Sequence, residues 1–225
     1  MAKVLAINGS PRMDKGNTAL LLNSFLQGIT DAGSIVDLYY TSQLSIKPCS
    51  CGNLYCWNNR PGECCFKDDM DLLYPKLKAA DILVLATPVY IPLPGEMQNF
   101  INRLCPLLDP TLVERAGRTR ARLRNDVKIR KFILVATSGW WEIENMDTVV
   151  RIVRELAEDV STEFTGALLR PHASEMWHQG VISADGQATL DAAEQAGREL
   201  IEQGRMHPET LKLVSRPLVV RELYY

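Results

Sequence analysis

Residues 3–18 read KVLAINGSPRMDKGNT. The apolar run at 4–8 has the length of a strand, and Asn17 and Thr18 are polar residues able to cap a helix. Apolar residues then recur at helical spacing: Leu21, Leu22, Phe25, Leu26 and Ile29. The stretch therefore predicts a buried strand, a polar loop and an amphipathic helix over residues 17–32.

The same alternation of strand and helix continues along the chain. Short apolar runs predict strands at 4–8, 34–39, 81–87, 130–137 and 163–169. Helical periodicity predicts helices near 17–32, 70–79, 95–104, 146–160 and 188–205. Strands that alternate with helices form a parallel sheet with helices on both faces. We therefore predict an α/β fold, a flavodoxin-like doubly wound sheet of five strands in the order 2-1-3-4-5, which binds its ligand at the carboxyl ends of the strands.

The composition is typical of one globular domain. The chain has 225 residues, of which 46% are hydrophobic and 23% charged, and a formal net charge of −2. This balance gives no reason to expect nucleic acid as a partner, and no apolar run approaches the ~20 residues of a membrane helix. The start lacks the apolar segment of a signal peptide, so we expect a cytoplasmic protein without a membrane partner. We place the domain at residues 1–206 and expect the apolar tail, residues 207–225, to pack on its own or a partner subunit.

The loop after the first strand has the chemistry of an anion site. Residues 8–18 join a buried strand to a helix start, where free backbone N–H groups and the helix dipole attract negative charge. Ser10, Asn17 and Thr18 add neutral donors, and Arg12 adds a charged one. The order of residues matches neither the P-loop nor the dinucleotide fingerprint. The loop thus favours a phosphate monoester bound without a metal, against the alternative of a capped helix after a turn.

Several short motifs, in order, carry a resemblance to a known family. They are NGSPR and GNT within 8–18, DDM at 68–70, TPVY at 87–90, TSGW at 137–140 and GALLRPH at 166–172. Together they resemble the NADPH-dependent FMN reductase and iron-sulfur flavoprotein family over residues 3 to about 205. The resemblance implies FMN as the cofactor and NAD(P)H as the co-substrate.

The resemblance also implies which residues contact FMN. Those near the phosphate are Ser10, Arg12, Gly16, Asn17 and Thr18. Those near the isoalloxazine ring are Thr87, Pro88, Val89, Tyr90, Ile91, Ser138, Gly139 and Trp140. The residues themselves predict a preset apolar wall at 87–95, because its prolines fix the backbone, although Tyr90 and Trp140 are equally consistent with packing in a core or interface. No residue is assigned to acid or base catalysis, as suits chemistry carried by a cofactor.

A cysteine-rich loop is predicted at residues 41–66, which is long enough to be functional. Thiolates at short spacings in one loop can bind a soft metal or an iron-sulfur cluster. The iron-sulfur members of the family have a compact run of four cysteines at this place, and the corresponding candidates for a [4Fe-4S] cluster are Cys49, Cys51, Cys56 and Cys64. Cys65 is then a spare, and Cys105 is expected to be a buried small hydrophobe. A zinc site and a set of free thiols are the alternatives.

We therefore predict an FMN-dependent oxidoreductase that takes electrons from NAD(P)H or a ferredoxin-type protein. It would pass them to a small molecule or protein, with an iron-sulfur cluster as a candidate intermediary. The alternatives are a non-enzymatic electron carrier and a thiol- or zinc-dependent regulatory module. We expect a homodimer or homotetramer. The basic residues of 114–131 predict a solvated or subunit-contacting insertion, with attraction of a nicotinamide phosphate or an acidic partner as the alternative.

Overall fold

The computed structural model describes residues 1–224. Its strands, in chain order, are β1 (Lys3–Asn8), β2 (Ile35–Tyr40), β3 (Ile82–Pro88), β4 (Leu108–Arg115), β5 (Arg118–Leu123), β6 (Lys131–Thr137), β7 (Glu163–Arg170), β8 (Trp177–His178) and β9 (Val181–Ile182). Its α-helices are α1 (Asn17–Asp31), α2 (Tyr55–Asn58), α3 (Met70–Ala79), α4 (Gly95–Asn102), α5 (Asp147–Asp159), α6 (Ala184–Gln203) and α7 (Pro208–Ser215).

The central sheet is parallel and has five strands in the order β2-β1-β3-β6-β7. Leu5 of β1 lies opposite Asp37 of β2 on one side and Leu83 of β3 on the other. The predicted flavodoxin-like sheet and its strand order are therefore confirmed. The order reverses between β1 and β3, which is where a sheet of this kind opens a crevice at the carboxyl ends of its strands.

Alternate residues of the central strands face two separate cores. Leu5 and Ile7 pack against α3, α4 and α5, whereas Val4 and Ala6 pack against α1 and α6. This alternation follows from the two-residue period of a strand. Helices α1 and α6 approach closely at Gly28, where an added Cβ would lie 1.9 Å from the Glu194 carbonyl oxygen.

Strands β4 and β5 form an antiparallel hairpin that the sequence pattern did not predict. The hairpin occupies most of the basic stretch, and it packs against α5. Arg120 is buried rather than solvated, and its guanidinium contacts Asp159 at 2.6 Å and Glu155 at 3.1 Å. The basic residues are thus largely neutralised by acids of the same chain, which weakens their case as a site for nicotinamide phosphates.

The chain beyond residue 206 packs on its own domain. Helix α7 contacts α6 and β7, and Val214 is fully buried there. Tyr225, the last residue of the predicted tail, lies outside the described residues, and the domain boundary at 206 stays a prediction. Helix α6 begins at Ala184, earlier than predicted, because the Ser183 hydroxyl caps it by accepting from the Gly186 N–H at 3.0 Å. None of the helices within residues 1–224 is long and apolar enough to cross a membrane.

Candidate functional site

The loops after β1, β3 and β6 meet at the carboxyl edge of the sheet and enclose a cleft of about 250 Å³. We call it the strand-end cleft, and its lining residues are Ser10, Arg12, Gly16, Asn17, Thr18, Pro88, Val89, Tyr90, Thr137, Ser138, Gly139, Ala173 and Ser174. This volume is slightly below the roughly 300–1,000 Å³ that is typical of pockets for small molecules and cofactors.

Most of the residues predicted to contact a cofactor line this cleft, and three do not. Thr87 is buried behind it, with its hydroxyl donating to the Pro88 carbonyl at 2.8 Å. Ile91 is fully exposed, and the Trp140 side chain is 63% exposed. Both lie in the loops that form the wall but outside the lining itself.

The cleft also contains residues that sequence reasoning missed: Thr137, Ala173 and Ser174. Thr137 ends β6, so its position at a strand end was the available signal. Ala173 and Ser174 follow the GALLRPH motif at 166–172, and the chain turns back toward the cleft at His172, whose φ of 35° is left-handed. A single sequence gives no sign of that turn.

The start of α1 supplies backbone donors to the cleft. Within residues 1–224, no side chain caps this helix, and its first turn contains no acidic residue. The N–H groups of Asn17, Thr18 and Ala19 therefore have no partner within the helix. Together with the helix dipole and the guanidinium of Arg12, they make this end of the cleft favourable for an anion.

Hydrogen bonds fix the loop that leads into α1. The Ser10 N–H donates to Asn8 Oδ1 at 2.8 Å, and the Arg12 N–H donates to Ser10 Oγ at 3.3 Å. Gly16 is packed against this loop, since an added Cβ would lie 3.0 Å from Ser10 Oγ. The Ser10 hydroxyl proton remains available to a ligand, because Ser10 Oγ acts only as an acceptor in this contact.

A pair of hydroxyls joins α1 to β6 at the floor of the cleft. Thr18 Oγ1 and Thr137 Oγ1 are 2.6 Å apart and both residues are buried. Each hydroxyl has one proton, so whichever residue donates to the other, one proton of the pair is left for a ligand. The contact therefore both orients the helix start and provides a neutral donor.

The loop after β3 forms a preset wall of the cleft. The Val89 N–H donates to the Thr137 carbonyl at 2.8 Å, and the Tyr90 N–H donates to the Pro92 carbonyl at 2.8 Å. The Tyr90 side chain is 52% exposed. A backbone held by prolines and paired in this way can present a flat face to a planar ring without reorganising.

The loop after β6 forms the opposite wall of the cleft and is hydrogen-bonded to the end of β7. The Ser138 N–H donates to the Arg170 carbonyl at 3.0 Å, and Ser138 Oγ accepts from the Trp140 N–H at 3.0 Å. The His172 N–H donates to the Trp140 carbonyl at 2.7 Å. The wall is therefore built from backbone contacts that depend on the chain just after β7.

A buried arginine and histidine join this wall to the C-terminal tail. Arg170 donates to the carbonyls of Val214 and Arg216, both at 2.8 Å. His172 Nε2 lies 3.0 Å from Arg170 Nη2 and accepts from the Leu218 N–H at 3.1 Å. Because both neighbours of Nε2 are donors, the proton of the ring must be on Nδ1.

The electrostatic setting of these two residues favours neutral histidine. Burial, reinforced by the charge of Arg170, holds the pKa of His172 below its ordinary value. Burial also lowers the pKa of Arg170 to about 10. The imidazole therefore acts as a neutral link between the tail and the wall of the cleft.

The tail contacts the 138–142 loop directly. Trp141 Nε1 donates to the Val219 carbonyl at 3.2 Å, and the Tyr224 hydroxyl donates to the Gly139 carbonyl. Arg221 pairs with Glu142 at 2.8 Å. The tail thus covers the outer side of one wall of the cleft.

All six cysteines line a second, smaller cavity, which we call the cysteine cavity: Cys49, Cys51, Cys56, Cys64, Cys65 and Cys105. The expectation that Cys105 is a buried small hydrophobe is wrong, because Cys105 is only partly buried and lines this cavity. Helix α4 ends at Asn102, and the turn after it brings Cys105 to the same cavity as Cys56. The interaction between the two thiols raises the pKa of Cys56 and lowers that of Cys105.

The ends of the cysteine loop are fastened by a buried ion pair. Arg103 donates to the two carboxylate oxygens of Asp68 at 2.7 and 3.0 Å and to the Lys47 carbonyl at 2.8 Å. Burial opposes the ionisation of Asp68, but the hydrogen bonds from Arg103, Lys47 N–H and Met70 N–H hold its pKa below the ordinary value. Arg103 also lies over the Phe66 ring, 5.1 Å from its centre.

The donor set of the cysteine cavity fits a soft metal centre by its chemistry. In the described part of the chain, no three histidine, cysteine or acidic side chains are placed so as to hold a metal ion. The fit therefore rests on the donor chemistry of the six thiols that line the cavity.

Comparison with known proteins gives a family and a fold. Residues 2–140 match the sequence model of the family described as NADPH-dependent FMN reductase. An iron-sulfur flavoprotein of Archaeoglobus fulgidus is 33% identical over 137 residues, which are 61% of this chain and 59% of that protein. An iron-sulfur flavoprotein of Methanosarcina thermophila is 31% identical over 126 residues, which are 56% of this chain and 59% of that protein. The chain therefore matches less than two thirds of the length of these relatives.

Solved structures agree in fold at low sequence identity. An NAD(P)H:quinone oxidoreductase from Methanothermobacter marburgensis has a TM-score of 0.60 and 15% identity, over 88% of this chain and 96% of that one. An FMN-dependent NADH-azoreductase from Bacillus anthracis, in complex with FMN, has a TM-score of 0.58 and 12% identity, over 90% of this chain and 99% of that one. These likenesses bear on the fold alone.

Proposed function

The chain belongs to the NADPH-dependent FMN reductase family, and from this membership we propose that it is an NAD(P)H-dependent flavin oxidoreductase that binds FMN in the strand-end cleft. The observation that carries the proposal is the uncapped start of α1, which faces the cleft beside Arg12. Free N–H groups at a helix start are a general site for phosphate. FMN has one phosphate monoester at the end of a flexible chain, so it fits a site of this type.

The residues divide into a phosphate end and a ring end. The phosphate would be held by the N–H groups at the start of α1, by the Ser10 and Thr18 hydroxyls and by Arg12, with Gly16 allowing close approach. The ring would lie between the two walls, with Pro88, Val89, Tyr90 and Ile91 on the first wall. On the second wall are Ser138, Gly139 and Trp140, while Thr87 supports the first wall from behind.

The protein's contribution is binding, orientation and exclusion of water. When bound, FMN supplies the chemistry of accepting a hydride and releasing electrons singly or in pairs. His172 is committed as an acceptor to Arg170 and Leu218, so it has no free lone pair for proton transfer at Nε2. The walls are paired through their own backbones, so they can hold a ring in place before a nicotinamide arrives.

We further propose that the cysteine cavity holds a [4Fe-4S] cluster. Six thiols around one cavity beside a buried arginine support this assignment, as do the names of the two relatives above. All six cysteines are free thiols, and it is the deprotonated thiol that binds a metal. The cluster would connect the flavin to a protein or small-molecule acceptor. Because a cluster exchanges electrons with proteins, the second candidate function is that of an electron carrier reduced by a ferredoxin-type protein.

Exposed apolar side chains around the cleft support a homo-oligomer, either a dimer or a tetramer. Ile91 and Trp140 both carry large apolar surfaces exposed next to the proposed ring site. Patches of this kind commonly mark an interface or a substrate platform. A second subunit placed there would shield the ring from water.

One experiment tests the proposed function. The full chain is purified without air, its flavin is released and identified, and NADPH or NADH is added anaerobically. We expect one FMN per chain and bleaching of the flavin absorbance by a nicotinamide donor. Reduction by a ferredoxin but by neither nicotinamide would favour the electron carrier. A protein that takes up no FMN would contradict both functions.

A further inference from the structure

We propose that Cys105 is a ligand of the iron-sulfur cluster, together with Cys51, Cys56 and Cys64. Cys49, which sequence spacing selects, would then not be a ligand. This inference rests on the proposed cluster and concerns only which thiolates bind it. It places one ligand outside the cysteine loop, at the C-terminal end of α4.

The first argument is the contact between Cys105 and the cysteine loop. Cys56 and Cys105 both line the cysteine cavity, although they are 49 positions apart in the sequence. The indole N–H of Trp57, next to Cys56 in α2, donates to the Cys105 carbonyl at 3.3 Å. The residue next to Cys56 in α2 is therefore fastened directly to Cys105 in the turn after α4.

The second argument is burial, which divides the six cysteines into two groups. Cys56 is buried, and Cys51, Cys64 and Cys105 are partly buried. Cys49 and Cys65 are exposed. Solvent access to a cluster is controlled by the protein around it, so thiols in protected positions suit a cluster that is enclosed by the protein. Four cysteines are protected, and four is the number that a [4Fe-4S] cluster requires.

Arg103 provides an independent sign that the cavity takes an anionic group. Its side chain is 1% exposed and lines the cavity, and its Nε has no hydrogen-bond partner in the described part of the chain. A buried N–H without a partner is costly unless a ligand accepts from it. Cluster sulfurs accept such hydrogen bonds, which stabilise their negative charge.

The test compares serine variants of three cysteines in the full-length chain. Cys105→Ser, Cys49→Ser and Cys65→Ser are purified without air and reconstituted with ferrous iron and sulfide. Iron, acid-labile sulfide, the visible spectrum of the cluster and bound FMN are measured on each. We expect Cys49→Ser and Cys65→Ser to match the wild type, and Cys105→Ser to lose the cluster spectrum and most of its iron and sulfide while it keeps FMN.

A second measurement avoids reliance on a variant that fails to fold. The wild-type chain is treated with a thiol-alkylating reagent before and after reconstitution, and the labelled peptides are identified by mass. We expect Cys105 to be labelled before and protected after, with Cys49 labelled in both. Full cluster content in Cys105→Ser, or labelling of Cys105 in the loaded protein, would overturn the ligand assignment. A wild-type chain that binds FMN but neither iron nor sulfide would overturn the cluster itself and leave the flavin proposal standing.

Discussion

Arg103 and Asp68 form a bidentate ion pair with N···O distances of 2.7 and 3.0 Å, and both side chains are almost fully buried. The pair joins the C-terminal end of α4 to the end of the cysteine loop. Helix α4 begins beside the wall of the strand-end cleft, so the pair also determines where the cysteine cavity lies relative to the proposed flavin. A long polar loop is in this way fixed to the core by one charged contact.

The replacement Arg103→Leu should destabilise the protein strongly. It leaves the Asp68 carboxylate buried without a cation, and the loss of one partner of a buried pair costs about 3–5 kcal/mol. Urea denaturation at neutral pH measures this loss. The control is Arg60→Leu, since Arg60 pairs with Glu63 in solvent and its removal should change stability little. Equal stability of the two variants would contradict the role assigned to the pair.

The phosphate assignment predicts weaker FMN binding in Arg12→Ala combined with Thr18→Ala. A charge-assisted hydrogen bond is worth about 1.5–3 kcal/mol and a neutral one about 1 kcal/mol, so the dissociation constant should rise roughly 100-fold or more. Quenching of free flavin fluorescence on binding provides the measurement. Arg151→Ala, which removes an exposed arginine of α5, is the control and should bind FMN as the wild type does. Unchanged affinity in the double variant would place the phosphate elsewhere.

His172 predicts a pH dependence of stability. Its pKa in the folded protein is below the ordinary value of 6.5, so the unfolded chain takes up a proton first as the pH falls. Neutral His172 therefore contributes its full stabilisation of the folded protein above about pH 6.5. This contribution is lost as the pH falls from 6.5 toward the lower pKa of His172 in the folded protein. Protonation of Nε2 would also set a new donor against Arg170 and the Leu218 N–H.

The variant His172→Gln isolates this effect. The difference in unfolding free energy between about pH 7.5 and pH 5.5 should be smaller in His172→Gln than in the wild type. His178→Gln, at an exposed residue of β8, is the control and should keep the wild-type dependence. The same dependence in all three proteins would show that His172 does not titrate as inferred.

The close approach of α1 and α6 predicts that alanine destabilises the protein at Gly28 but not at Gly95, a glycine of α4 with open space around it. Gly28→Ala would place a Cβ 1.9 Å from the Glu194 carbonyl oxygen, so the helices must separate, at a cost of about 1–3 kcal/mol or more. Gly95→Ala meets no atom within 4 Å and lies in α4, where alanine is the better helix former. Thermal unfolding should show a clear loss for the first variant and none for the second. A loss at Gly95 alone would contradict the packing described.

The sequence was sufficient for the sheet and for one end of the cleft. Strands such as β1 and β3 are continuous apolar runs because both faces of a parallel sheet are buried, and such runs are visible in a single sequence. The loop at 8–18 could be predicted as one end of a binding cleft because the features of an anion site at a helix start are local in sequence. Both predictions depend on short-range patterns.

The missed features depend on contacts between distant residues. Arg120 looks like a solvated charge, and only the acids of α5 allow it to be buried. Cys105 lies in an apolar stretch and reaches the other cysteines because α4 ends where the loop returns. Ala173 and Ser174 enter the cleft through the left-handed turn at His172. No local pattern predicts contacts of this kind, since each requires the tertiary fold.

A crystal structure of the full chain with FMN tests the central claim most directly. We expect the phosphate within hydrogen-bond distance of the N–H groups of Asn17 and Thr18 and of the Arg12 guanidinium, with the ring between the walls formed by residues 88–91 and 138–140. A phosphate bound away from the start of α1, or FMN bound outside the strand-end cleft, would contradict the proposal.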